Sequence, residues 1–316
     1  TLVATSCSTT KGVPEGDQLY VGLTKIKYSN YEDNSHFSST QEEMEAALDC
    51  APNGAFMGSS YYRTPFPISL WVWNAFSEST SGAGKWISKT FGKPPVLMSW
   101  VNPALRASVA QNTLKNNGYF QGRVKYEVLT QKNPKKAKIG YSVSVGPLYT
   151  LDSVAYLNFP PEITQLIASR ASISKLQKGS PFSVSSLDTE RNRISNLLRD
   201  NGYYYYQPGY SSFLADTIQV PQKVQLKMLP TATMPETAKR RWYVGKIDFY
   251  LRKQMGETLT DSVKRKRLTV YYNGKRPPIR SRILMRNIML RPEHMYRYRD
   301  ENLTSTKLMD MGLFSM

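Results

Sequence analysis

Residues suited to nucleophilic, metal or acid–base chemistry are sparse in this chain of 316 residues, which has only two histidines and two cysteines. His36 sits in the polar run YEDNSHFSS and His294 follows a Pro-Glu pair. Neither has a further metal ligand three or four residues ahead, so both read as surface residues. Cys7 and Cys50 leave room for one optional bridge and exclude a disulfide framework. Cys50, closing the helix-like run MEAALDCA, reads as a small buried thiol. There is no phosphate-cradling loop ending in Lys-Ser or Lys-Thr, no G-x-S-x-G elbow and no C-x-x-C; SGAGK lacks P-loop spacing and runs into Trp86. The expectation is a chain with no catalytic residue, no cofactor and no metal site, whose work is binding.

Two patterns could bind. The basic run Lys264, Arg265, Lys266 and Arg267 could meet phosphates, and Tyr271 and Tyr272 could stack on bases. The residues that follow, VYYNGKRP, read as a strand and a turn, and anionic lipid headgroups satisfy the same charge, so lipid is the expected contact and no nucleic acid is expected. In NGYYYYQPGYSSF, four tyrosines follow a glycine that can end a helix. Read as a strand, Tyr203 and Tyr205 face one side and Tyr204 and Tyr206 the other. Pro208 cannot donate to a ladder and puts that strand at a sheet edge, making Tyr204, Tyr205, Tyr206 and Tyr210 candidate contact residues.

The elements that must hold these residues follow from a repeat. In QNTLKNNGYF, ISNLLRDNGYYY and TSTKLMDMGLF a leucine stands four residues, about one helical turn, before a glycine: Leu114 before Gly118, Leu198 before Gly202, Leu308 before Gly312. Asn102 as a cap, Pro103 at the first position and Gly118 past the end predict a helix over 103–117. A second helix carries Leu187, Ile194, Leu197 and Leu198 on one face, separated by Asp188, Glu190, Arg191 and Arg193. Strand, turn and strand follow Gly118 and Gly202, as in YFQGRVKYEVLTQ, KNPKK and AKIGYSVSVGP after the first. Leading strands are LYVGLTKIKY, LYTLDSVAYL and WYVGKIDFYL. First helices are TQEEMEAALDCA, with capping boxes from Ser39 to Glu42 and Thr40 to Glu43, PPEITQLIAS and PPIRSRILMRNI.

The expected fold class is therefore α+β, a tandem of β-α-α-β-β units in which two helices cover a small mixed sheet. The boundaries are a tether over 1–17, a first unit over 18–147 with an aromatic insertion over 53–101, a second over 148–230 and a third over 239–316 that stops before its closing strands. The insertion, with Trp71, Trp73, Trp86 and Trp100, either covers the first core or docks a partner. The net charge of +18 makes an anionic partner plausible. Residues 239–316 hold 19 Lys and Arg against 7 Asp and Glu, so +12 of that charge belongs to one module. No apolar run approaches the ~18 residues of a membrane-spanning helix.

This unit resembles the POTRA domain of the outer-membrane barrel-assembly superfamily that includes BamA and TamA, most specifically in RISNLLRDNGYY and LRPEHMYRYRDENLTSTKLMDMGLF. CSTTKGVPEGDQLY and the insertion segment NGAFMGSSYYRTPFPISLWVWNAF look like the lipoprotein branch of that superfamily, TamL, although the loop PEHMY lacks the glycine usual there. The resemblance implies acylation of Cys7 and a lipid-anchored place on the periplasmic face of the outer membrane. It also implies further barrel-forming sequence downstream and capture of clients at the edge strand. The partners would be unfolded or nascent outer-membrane proteins and a TamB-like periplasm-spanning protein. A BamA-type core insertase, or a freestanding basic lipoprotein that binds anionic glycan or nucleic acid, are the competing readings.

Overall fold

The computed structural model describes residues 9–312, so Cys7 lies outside them. The described residues fold as two compact units, one of the chain up to residue 150 with 181–184 and one of 151–180 with the chain from 185 onward.

In the first unit β1 (Leu19–Leu23), β2 (Lys27–Ser29) and α1 (Ser35–Leu48) come first. The insertion follows, with α2 (Ile68–Phe76), α3 (Gly82–Phe91) and the single turn α4 (Met98–Val101). Then come α5 (Pro103–Asn116), β3 (Arg123–Thr130) and β4 (Lys136–Ser144). β4 is central: β1 and β2 lie parallel to it on one side, and β3 lies antiparallel on the other. α5 has the expected ends, with Asn102 Oδ1 accepting from Leu105 N at 3.2 Å and Gly118 at φ +90°. α1 begins earlier than expected, because Asn34 accepts from Phe37 N at 2.8 Å. Phe37 then joins Met44 and Leu48 on the buried face. Ser39 and Thr40 fall inside the helix, where Thr40 Oγ1 donates to His36 O at 2.9 Å, so the two capping boxes do not form.

All five residues of β1 are buried, because it is covered on both faces. Tyr20 and Leu23 enter the core beneath the helices, with Phe37, Met44, Leu114 and Ile139. Leu19 and Val21 pack instead with Leu70 and Leu97 of the insertion. The insertion thus supplies a second small core, and part of its aromatic content is structural.

The second unit runs through β5 (Thr150–Tyr156), α6 (Pro161–Ala168), α7 (Val184–Arg199), β6 (Ser211–Asp216) and β7 (Lys223–Pro230), with sheet order β5-β7-β6. Thr150, the first residue of β5, and Val184, the first of α7, are counted with the first unit. Ile163, Ile167, Ile194, Leu198 and Met228 form the core between helices and sheet. The β-α-α-β-β order is complete in both repeats, so the fold is α+β as the sequence implies.

The same unit continues with β8 (Asp248–Tyr250), β9 (Asp261–Arg265), β10 (Leu268–Tyr272), α8 (Ser281–Asn287) and α9 (Tyr298–Asp310). Here the structure adds to the expectation. β10 pairs parallel with β8 and antiparallel with β9, so a hairpin stands ahead of the helices where only a strand and a turn were read. Leu268, Val270 and Tyr272 alternate inward and meet Leu284 and Ile288. Among the described residues no helix is long and apolar enough to cross a membrane.

Candidate strand-capture edge and basic hairpin tip

The tyrosine run is a turn and not a strand, which corrects the expected placement of Tyr204, Tyr205, Tyr206 and Tyr210. Gly202 leaves α7 at φ +96°, and a Cβ there would lie 2.9 Å from Met295 Cγ and 3.2 Å from Arg241 Cβ. Tyr203 N then donates to Leu198 O at 3.1 Å and Tyr206 N to Tyr203 O at 3.0 Å. This three-residue period buries Tyr203 and Tyr206 and exposes Tyr204 and Tyr205, unlike the two-residue alternation of a strand. Burial pushes the Tyr206 hydroxyl above its ordinary pKa. Pro208 opens a single 3₁₀ turn ending at Tyr210, and β6 starts at Ser211.

The exposed pair has a structural neighbour. Tyr204 meets Tyr296 edge-on at 4.7 Å and Tyr205 meets Trp242 edge-on at 5.1 Å. Around them Trp242 N donates to Gly202 O at 2.8 Å and Arg299 N to Asp200 Oδ1 at 2.8 Å. The Arg199 guanidinium lies 3.9 Å from the centre of the Tyr298 ring and donates to Tyr296 Oη and Glu301. The tyrosines therefore tie the second repeat to the third.

An open edge does follow them. β6 is the outer strand of its sheet. Ser211 O accepts from Arg191 Nε at 3.1 Å on the side away from β7, so the alternation of an antiparallel ladder turns the N–H and C=O of Phe213 and Ala215 outward as well. Among the described residues no backbone group beyond β7 bonds to 211–216. The other edge of this sheet is covered at its start, where Leu151 N donates to Ser180 O at 2.8 Å and Gly179 N to Leu151 O at 2.7 Å. The first unit repeats the asymmetry. β1 is closed by the insertion, with Tyr20 N donating to Val96 O and Leu23 N to Ser60 O, both at 2.8 Å, whereas β3 is an outer strand with Tyr126 and Val128 exposed.

The basic run is the tip of the β9–β10 hairpin. Arg265 pairs with Leu268 across a turn made of Lys266 and Arg267. Lys264, Arg265 and Lys266 are exposed, but Arg267 is half-buried and donates to Met285 O at 2.8 Å, so three of the four expected cations face solvent.

His294 is exposed and His36 half-buried, its Nε2 2.8 Å from Asn117 O. Cys50 is a half-buried free thiol, pushed above its ordinary pKa by burial. Among the described residues no group of three His, Cys, Asp or Glu side chains could hold a metal ion. Glu190, which the sequence shows only as one of the charged residues separating the apolar positions of its helix, has a side chain that is 1% exposed. It accepts from Arg193 at 2.7 and 2.6 Å and from Tyr156 Oη at 2.7 Å. Burial works against its charge, but these three bonds outweigh burial and hold the carboxyl below its ordinary pKa. The signal was an apolar helix face interrupted at one position by an acid with an arginine three residues on.

No protein-family model matches the chain, and no curated protein matches it. Solved structures similar to it include Haemophilus influenzae BamA POTRA3-5, 16% identical, with 96% of this chain and 90% of that chain covered and a TM-score of 0.41. POTRA1-3 of the periplasmic domain of Omp85 from Anabaena is 12% identical over 96% of this chain and 88% of that one, with a TM-score of 0.28. The N-terminal domain of Omp85 from Thermosynechococcus elongatus is 11% identical over 94% and 88%, with a TM-score of 0.27.

Proposed function

We propose that the chain is the periplasmic POTRA array of an outer-membrane protein assembly or translocation factor, and that it holds extended segments of its clients, or of a TamB-like partner, by strand addition. The observation that carries this reading is the open outer side of β6, with its unpaired backbone groups at Phe213 and Ala215, in a sheet whose opposite edge is covered at Leu151. Backbone pairing recognises an extended chain without reading its sequence, which suits a scaffold that handles many clients. Tyr204, Tyr205, Tyr206 and Tyr210 serve this edge indirectly, by fixing where β6 begins. Lys264, Arg265 and Lys266 meet anionic headgroups, and acylated Cys7 anchors the array. The work is capture and handover, with no covalent chemistry.

A photo-crosslinker at Leu214, which is 60% exposed on β6, tests the reading in cells against one at Ile173, 61% exposed on a helical turn. Crosslinks to nascent outer-membrane proteins or a periplasm-spanning partner are expected from position 214 and not from 173. Equal yields from both positions would refute edge capture. Intact-mass analysis of the natural protein tests the anchor separately, since an unmodified Cys7 removes it.

A further inference from the structure

The insertion has a surface that its structural role leaves unused. α2, with the sequence ISLWVWNAF, carries no charged residue, and Leu70 is its only fully buried side chain. Ile68, Val72 and Phe76 recur every fourth position along its outward side, and Ile68 is 67% exposed. α3 turns the usual helix pattern round. It buries Gly84 and Ser88 while Trp86 and Phe91 are 62% and 58% exposed. Gly92, just past the end of α3, lets the two helices approach closely, for a Cβ there would lie 3.2 Å from Trp73 Cα, and Lys93 N donates to Ser69 O at 3.0 Å. The aromatic rings are then left outside, where Trp86 and Phe91 touch edge-on at 5.9 Å.

We propose that the α2–α3 hairpin docks on a lipid bilayer, with Trp86, Phe91, Ile68 and Phe76 at the boundary between headgroups and acyl chains. Three features favour lipid over a protein partner. Lys85, Lys89 and Lys93 repeat every fourth position beside the aromatic face, and among the described residues none pairs with a carboxylate. Glu78 is the only acidic residue in 53–101, so the rim suits phosphate headgroups. Helices of nine and ten residues are about 14–15 Å long, too short for the ~30 Å hydrocarbon core but suited to lying along its surface. A second copy of the chain is the poorer occupant, because a two-fold interface would bring two sets of these lysines together. This inference concerns a different face from β6 and does not rest on strand capture.

The test is flotation of the chain with vesicles of phosphatidylcholine mixed with phosphatidylglycerol, combined with quenching of tryptophan emission by brominated acyl chains. The double variant Trp86→Ser/Phe91→Ser should lower lipid partitioning by about tenfold, whereas Trp86→Phe should keep most of the binding and lose most of the quenching. Both side chains are exposed, so circular dichroism and melting should not change. Unchanged flotation of the folded double variant would overturn the proposal, and so would undiminished quenching in Trp86→Phe. Light scattering that shows a dimer dissolved by the double variant, without lipid uptake by either form, would assign the face to a second copy instead.

Discussion

Glu190 is taken out of water inside α7 with its charge intact, held by Arg193 and the Tyr156 hydroxyl. Because these bonds depress its pKa, the unfolded chain takes up this proton more readily than the folded one. The stability it provides is fully present above the unfolded glutamate value of about 4.3 and is lost as the pH falls through the lower folded value. Urea unfolding of the wild type should weaken over that acid window, and Glu190→Gln should flatten this dependence. Glu190→Ala should cost about 3–5 kcal/mol, because it leaves the Arg193 charge without its partner; a loss below about 1 kcal/mol would show that solvent replaces it. Gly202 is the other residue on which this region turns. Gly202→Ala meets both a positive φ and Met295, and should cost about 1 kcal/mol or more in the same measurement. Gly209→Ala, with no positive φ and no atom within 4 Å, should be close to neutral. The glycine was legible in the sequence because ending a helix is a local event. Glu190 was not, because an acid three residues from an arginine reads as a solvated pair until the tertiary fold puts Tyr156 over it.

At the scale of elements, the tyrosine run shows where a two-residue period misleads. Four aromatic residues favour a strand on propensity, but Gly202 commits the chain to a turn in which Tyr206, three residues after Tyr203, returns to the core beside it. The inference that an edge strand follows survives, displaced to Ser211, because Pro208 and the following turn come before the ladder starts. The β9–β10 hairpin was half legible: Leu268, Val270 and Tyr272 alternate plainly, but their partner strand is charged and contributes only Val263 to the core. The corrected register sharpens the capture test. Ala215→Pro removes an outward N–H and leaves the β6–β7 ladder whole, whereas Leu214→Pro breaks a ladder bond. Each lost backbone bond to a client is worth about 0.5–1.5 kcal/mol, so Ala215→Pro should lower client crosslinking several-fold while the melting curve stays near that of the wild type. Ala215→Thr, which keeps the N–H, should crosslink normally. Normal crosslinking by folded Ala215→Pro would rule out pairing on this edge.

For the molecule as a whole, charge is the property that composition already displays and the fold only concentrates. The net charge is +18, and 239–316 carries 19 Lys and Arg against 7 Asp and Glu. At the β9–β10 tip Lys264, Arg265 and Lys266 stand exposed, and the β3–β4 turn presents Lys132 and Lys135. Exposed cations near an anionic surface contribute about 1 kcal/mol each and are screened over about 8–10 Å at physiological salt. Replacing Lys264, Arg265 and Lys266 by serine should therefore weaken binding to anionic vesicles at low salt by up to about a hundredfold, and flatten its salt dependence. The same exchange at Lys132 and Lys135 removes fewer cations and should do less. Binding through the α2–α3 hairpin should respond differently, since apolar contact with acyl chains persists at salt concentrations that screen exposed charge. The serine variant at the hairpin tip should then lose its salt-sensitive fraction and retain quenching by brominated chains, while Trp86→Ser/Phe91→Ser should do the reverse. If the tip variant instead loses both signals together, the basic module is the sole lipid contact and the aromatic face has another occupant.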